Sequence, residues 1–577
     1  MISSHRQHSG HKCIARLLAG LSLIATLPGS TPSAAEALTD DSAALGASPT
    51  AALVPEPLQP LSLDMEVEVR PRLPRLRVRA TLTFQAHRPV EEARLLLRPE
   101  IELDLVADAS GMLLPYERTA NSVLIRTSRL DPGTATTWTF RYTLQLNSPL
   151  EELGSFYTRN PWYPYLSHPG AATEFPRYMP TTARLTVSLP TPWVAVSAGR
   201  LTISREGPKN RYLWEQSRPS PFHALVIGRF KLVEHRADHL RGHGFFSPEN
   251  AGQGKVFIEY VTSVLRFYGK TIEEYRLTDY SLVELPLPAG LRGLTWPGLT
   301  LLSSADVVPT SPFPYRILAH EIAHNWWNFI VVFPGRSDYW LREGLPTYCA
   351  LLFLERQYSR AMMRQELGRS RRLALSVDDP EPLSAGFDMS SQAALFSLNY
   401  HKSAVVLHML RTILGRDSFV ELLREFCSAY AGGTATTADF RRLAEERYGG
   451  DLQWFFSSWI EEVAVPSFKI RYWVRRRPTV QVPAYELAGT IVQTGARIRG
   501  PALLRVRLRG APPLEHTIWL EPGTTPFSLS CPSIPETLEF DPDQSLLSRD
   551  VNVELVARIS QRQSATVADK PPRNDRR

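Results

Sequence analysis

The 577-residue sequence predicts a multidomain α+β protein: a β-rich N-terminal part, a mainly helical central part and a second β-rich part after it. Three observations carry this. Between residues 61 and 234 apolar and polar residues alternate at period two, as in Leu76-Arg77-Val78-Arg79-Ala80-Thr81-Leu82-Thr83-Phe84 and Arg184-Leu185-Thr186-Val187-Ser188-Leu189, with Pro and Gly turns between runs. Between Gly254 and Val465, within a central domain expected over 235–465, the pattern becomes mainly helical. From 466 to 551 the alternation returns. A chain this long has room for several domains, each with its own core, and its 43% apolar content is ordinary for globular protein.

The first stretch, 1–37, reads as a signal peptide. Arg6, Lys12 and Arg16 precede the apolar run Leu17 to Leu27, and Ala35-Glu36-Ala37 offers a small-residue cleavage site. The run is short for a membrane span, so the expectation is an exported, periplasmic or secreted protein with no membrane span in the mature chain; left uncleaved, the segment would serve as an anchor. Residues 38–60, rich in Ala, Ser, Thr and Pro, read as a flexible linker, and the polar, basic stretch 552–577 as a disordered tail. The net charge of +7 comes without a basic stripe interleaved with aromatics, so no nucleic-acid partner is expected. Cys349 and Cys427 both fall in helical patterns and could pair, though buried free thiols are the simpler reading.

The chemistry concentrates between Phe313 and Gln357. Thr310-Ser311-Pro312 is a helix start signal, Ile317, Leu318, Ile322 and Trp326 supply apolar residues at helical spacing, and Pro334-Gly335 ends the run. On such a helix His320 and His324, four residues apart in His320-Glu321-Ile322-Ala323-His324, stand on one face and can reach one ion. Zinc in a hydrolytic site takes three protein ligands and leaves a position for water. Glu343 is the candidate third ligand, on a second helix that begins near Ser337-Asp338 and packs antiparallel to the first across a short turn. Glu321 points away from the ligand position toward the water side, where a carboxylate acts as general base.

His320-Glu321-x-x-His324, followed after an eighteen-residue gap by Glu343 in Trp340-Leu341-Arg342-Glu343-Gly344-Leu345-Pro346-Thr347-Tyr348, resembles the aminopeptidase N family of gluzincin metallopeptidases. The resemblance implies one Zn2+ ion, a peptide or protein substrate, a thermolysin-like catalytic domain over 235–465, an N-terminal β-domain over 61–234 and a small β-sandwich over 466–551. The large helical C-terminal domain of many relatives has no counterpart here, which implies a more open cleft.

Two further stretches carry the resemblance. Phe396-Ser397-Leu398-Asn399-Tyr400-His401-Lys402 is similar to the family's segment with a catalytic tyrosine, which makes Tyr400 the expected donor to the developing oxyanion. Gly293-Leu294-Thr295-Trp296 stands where the family has a Gly-x-Met-Glu-Asn strand that binds substrate, partly through β-addition of the substrate backbone. The family's glutamate, which holds the substrate's α-amino group, falls on Thr295 or Trp296, and neither is acidic. Glu284 is a possible substitute, though it reads better as a strand-end residue. The expectation is therefore a zinc metallopeptidase whose preference for a free N-terminus is open: an aminopeptidase with another amine anchor, an endopeptidase or enzyme for blocked N-termini, or a non-catalytic peptide-binding protein on this fold.

Overall fold

The computed structural model describes residues 57–167, 178–307, 313–476 and 485–559. The signal peptide, most of the linker and the helix start signal Thr310-Ser311-Pro312 lie outside these residues.

The alternating N-terminal segment folds into sheets. Strands β1 (Leu58–Val69) and β2 (Arg75–Ala86) pair antiparallel, and β1 also pairs in parallel with β3 (Thr181–Pro190), placing Ser62 beside Thr182. These strands form the middle of a seven-stranded sheet. The alternation sends Met65, Val67, Leu82 and Phe84 inward, where they pack with Trp138 and Trp162 in one buried core. Strand pairing begins at Leu58, so the ladder reaches into the last residues of the expected linker.

The central segment opens with a second sheet, of five strands: β4 (Lys231–Ala237), β5 (Leu240–Phe246), β6 (Asp279–Leu285), β7 (Gly293–Trp296) and β8 (Leu299–Ser303), ordered β4-β5-β6-β8-β7. The inner strands β5, β6 and β8 run parallel, while β4 and β7 pair antiparallel on the two edges. Because β4 belongs to this sheet, the central unit begins before residue 235. The near-continuous apolar character of β6 and β8 suits strands covered on both faces. Helix α1 (Ala251–Thr271) covers one face, joined by α2 (Phe313–Ala323), α3 (Tyr339–Gln357), α4 (Arg360–Leu375), α5 (Gln392–Phe396) and α6 (Ser403–Leu414).

Two differences from the sequence reading concern the site. Helix α2 stops at Ala323, well before Pro334. The next amides reach back only three residues, His324 to Glu321 and Asn325 to Ile322, and the Asn325 side-chain amide also donates to the Ile322 carbonyl. A side chain that competes for backbone acceptors ends a helix. The link to α3 is accordingly longer than a turn and contains a Trp327–Val331 bridge and a one-turn helix, Arg336–Asp338.

After the helices come two β-sheets of four and three strands. They face each other through Phe468 on β9 (Ser467–Arg476) and Phe540, whose rings lie 4.8 Å apart. The stretch read as a disordered tail begins as a strand: β10 (Val551–Ile559) pairs in parallel with β9. Its Val551, Val553 and Leu555 repeat at period two, a signal that the surrounding polar residues obscure.

Candidate metal centre and active site

Helices α2 and α3 bring His320, His324 and Glu343 together, all buried, with one ligand atom from each within 4.8 Å of the others. The Nε2 atoms of both histidines lie 3.5 Å from Glu343 Oε2. That oxygen is buried and has no hydrogen-bond partner among the described residues, although a carboxylate stripped of water ordinarily requires one.

The outer nitrogens define the tautomers. His324 Nδ1 lies 3.1 Å from the Trp327 carbonyl, which only accepts, so Nδ1 carries the hydrogen. His320 Nδ1 lies 3.1 Å from Thr347 Oγ1. Thr347 spends its own hydroxyl hydrogen on the Glu343 carbonyl at 2.7 Å, and so accepts from His320. Both imidazoles therefore turn an Nε2 lone pair toward the same point. Outer partners of this kind fix ring orientation in metal sites, and losing one typically costs 10–100-fold in metal affinity or activity. Two imidazoles, one carboxylate and an unsatisfied buried oxygen fit a zinc ion.

The charges agree with this arrangement. Burial alone would raise the Glu343 carboxyl, but His324, His320 and Arg342 hold it down at about 2. His324 is lowered, chiefly by burial.

Glu321 lies next to His320 on α2 but faces β7. Its Oε2 accepts from Thr295 Oγ1 at 2.8 Å. A Cβ added to Gly293 would come within 2.6 Å of the Glu321 carboxylate, so glycine is what allows the strand this close. Burial raises the Glu321 carboxyl, opposed by His324 and by the Thr295 bond, with Glu343 adding to the rise. A general base benefits from that direction of shift.

Tyr400 sits on a π-helical turn, Ser397–Lys402, between α5 and α6. The Ser403 amide there reaches the Leu398 carbonyl five residues back. The inserted residue is a device common at functional sites. It carries the Tyr400 ring to a stacked position 5.5 Å from the His320 ring, with Phe396 on its other side at 4.7 Å. Burial and the neighbouring Glu343 raise the Tyr400 phenol well above its ordinary range, so it remains a donor. Sequence reading overlooked Tyr339, one turn before Glu343 on α3, whose hydroxyl interacts with both Tyr400 and Glu343. The i, i+4 spacing to Glu343 was the available signal.

The four residues expected to bind substrate divide differently. Gly293 and Thr295 contact Glu321. Leu294 packs against the N-terminal core, and Trp296 is buried with its ring stacked 5.5 Å from Phe222. The side chains of Thr295 and Trp296 are thus buried with partners inside the protein, and Leu294 is half-buried. Strand β7 is nevertheless the last in its sheet, and its outer edge pairs with no other strand among the described residues. Glu284 is buried in β6 and accepts from the Ser247 amide at 2.9 Å and from Asn250 Nδ2 at 2.6 Å, at the start of α1. Its carboxylate is committed to these donors. Cys349, Cys427 and Cys531 are free and buried.

Residues 313–459 match the peptidase family M1 domain. The chain is 22% identical over 265 residues to a leucyl aminopeptidase of Saccharolobus solfataricus, covering 42% of this chain and 33% of that protein. It is 25% identical over 308 residues to aminopeptidase M1-C of Oryza sativa, covering 50% of this chain and 35% of that protein. The chain thus spans about a third of the length of each. Among solved structures, Legionella pneumophila aminopeptidase A in complex with aspartic acid aligns with a TM-score of 0.62 at 18% identity, over 86% of this chain and 60% of that one. An M1 zinc metallopeptidase from Deinococcus radiodurans aligns with a TM-score of 0.52 at 20% identity, over 69% of this chain and 92% of that one. These likenesses give the shared fold: β-domain, helical metal-bearing domain and C-terminal β-sheets.

Proposed function

We propose that this chain, whose residues 313–459 match the peptidase family M1 domain, hydrolyses peptide bonds as a zinc metallopeptidase of the aminopeptidase N-like kind. The observation that carries the reading is the pair of Nε2 atoms 3.5 Å from a buried Glu343 oxygen that has no hydrogen-bond partner among the described residues, with Glu321 next to His320 on α2.

In this reading His320, His324 and Glu343 hold one zinc ion. The ion, when bound, polarises the attacking water and the scissile carbonyl. Glu321 takes the water's proton and passes it to the leaving amine; its raised carboxyl suits both halves of that exchange. Tyr400 donates to the oxygen on which negative charge develops, a contribution worth about 10²–10³ in rate for a well-placed donor. The outer edge of β7 receives the substrate backbone by strand addition. Export through the segment 1–37 belongs to the same proposal; among the described residues no helix is long and apolar enough to cross a membrane.

A free α-amino group is not required. Thr295 is committed to Glu321, Trp296 to Phe222 and Glu284 to α1, so none of the candidates for an acidic anchor faces a substrate amine. The test is cleavage of one peptide, free and N-acetylated, by zinc-loaded protein with Glu321→Gln as control. Glu321-dependent cleavage of both forms is the expected outcome. Release of the first residue from the free form alone would make the enzyme an aminopeptidase with another amine anchor. No Glu321-dependent cleavage of either form would favour a non-catalytic peptide-binding protein.

A further inference from the structure

Thr295 and Thr300 face each other across the β7–β8 hairpin, and Tyr280 lies on the adjoining strand β6. Their hydroxyls form a buried series: Thr295 Oγ1 to Thr300 Oγ1 at 2.9 Å, and Thr300 Oγ1 to Tyr280 OH at 2.7 Å. Asn325 Nδ2 meets the far end, 3.3 Å from Tyr280 OH. Its amide orientation is determined, because Oδ1 accepts from the Gly298 amide at 3.0 Å while Nδ2 also donates to Ile322.

The two ends set the direction of every bond between them. The Glu321 carboxylate only accepts, so Thr295 gives it its one hydrogen. Thr295 must then accept from Thr300, Thr300 from Tyr280, and Tyr280 from Asn325. Each hydroxyl is used once as donor and once as acceptor, and the donors all point toward Glu321. A hydrogen bond to a charged group contributes more than one between neutral groups, and a uniformly directed chain strengthens its last member.

We propose that Thr295 is a positioning residue for the general base, held by this one-way chain from Asn325, and that it leaves Glu321 Oε1 as the oxygen that exchanges the proton. The inference rests on the peptidase reading. It gives the Thr295 side chain a different task from amine recognition: it fixes the rotation of the catalytic carboxylate, while the outer edge of β7 stays open to the substrate backbone. Asn325 follows the ligand His324 directly, so one chain of bonds joins the end of the metal helix to the hairpin.

The test compares Thr295→Val, which keeps the branched shape, with Thr295→Ser, which keeps the hydroxyl. The expected result for Thr295→Val is a fall in kcat of about tenfold or more, a part of the roughly 10²–10⁴-fold that a general base contributes, with KM within twofold and zinc affinity by chelator competition unchanged. Thr295→Ser restores most of kcat. An unchanged kcat in Thr295→Val, a loss confined to KM, a loss of zinc, or failure of serine to rescue would each overturn the proposal. Thermal unfolding of the metal-free protein separates this from failure of the peptidase reading. Thr295→Val lowers Tm when Glu321 is present and lowers it by less than half as much in a Glu321→Ala background; equal losses in both would overturn the proposal even if the wild type cleaves no peptide.

Discussion

Gly293 has no side chain, and the space a Cβ would need belongs to the Glu321 carboxylate, 2.6 Å away. Gly293→Ala is therefore expected to turn that carboxylate aside while leaving the core intact. Misplacing a catalytic group by about 1 Å can cost about 100-fold in rate, so kcat/KM should fall by that order with zinc content unchanged, as measured by steady-state kinetics beside metal analysis. At this scale the grouping of His320, His324 and Glu343 was legible in the sequence, because the four-residue spacing of the two histidines reports directly on a helical face. The partners of Glu321 were not. They depend on α2 lying across β7, a contact between segments whose spacing in the chain says nothing of their approach. Thr295 looked like a missing carboxylate for the same reason: sequence shows which residue type is absent, whereas its hydroxyl's destination appears only in the fold.

The π-helical turn governs how the elements meet. One extra residue between α5 and α6 lets Tyr400 face His320 while α6 continues into the core, and Gly344 on α3 permits the close approach. A Cβ at Gly344 would lie 2.5 Å from Ser403 Cβ. Overpacking of this kind typically costs 1–3 kcal/mol. Gly344→Ala should accordingly lower thermal stability and weaken zinc binding together, since Glu343 precedes it on the same turn; calorimetry and chelator competition read the two effects. Elements with a single strong period were readable from the sequence, as β2 and β3 show. Their limits were less so. Helix α2 ended early because Asn325 competes for its carbonyls, β4 crossed the expected boundary at 234–235 because its partner β5 lies on the central side, and β10 hid inside a polar stretch because ladder pairing with β9 supplies what its composition lacks.

Across the whole molecule, the three proposed zinc ligands lie on or just beyond two helices of one continuous core that also reaches the C-terminal sheets. Zinc should thus stabilise the central domain, by about 4 kcal/mol when free zinc exceeds Kd 1,000-fold. A chelator should lower its Tm, and Glu343→Ala should abolish the difference, as followed by differential scanning calorimetry. The parallel pairing of β1 with β3 has a consequence for the order in which the molecule assembles. Ser62 meets Thr182 only after the intervening chain exists, and long-range parallel pairing is slow because loop closure precedes any reward. On a chain growing from its N-terminus, β1 can take β2 as a neighbour early but must hold its other edge open until β3 emerges. The β-domain that shares Phe222 and Trp296 with the hairpin beside the catalytic site thus closes its own middle late, and the wall of the cleft takes shape after most of that domain has been made.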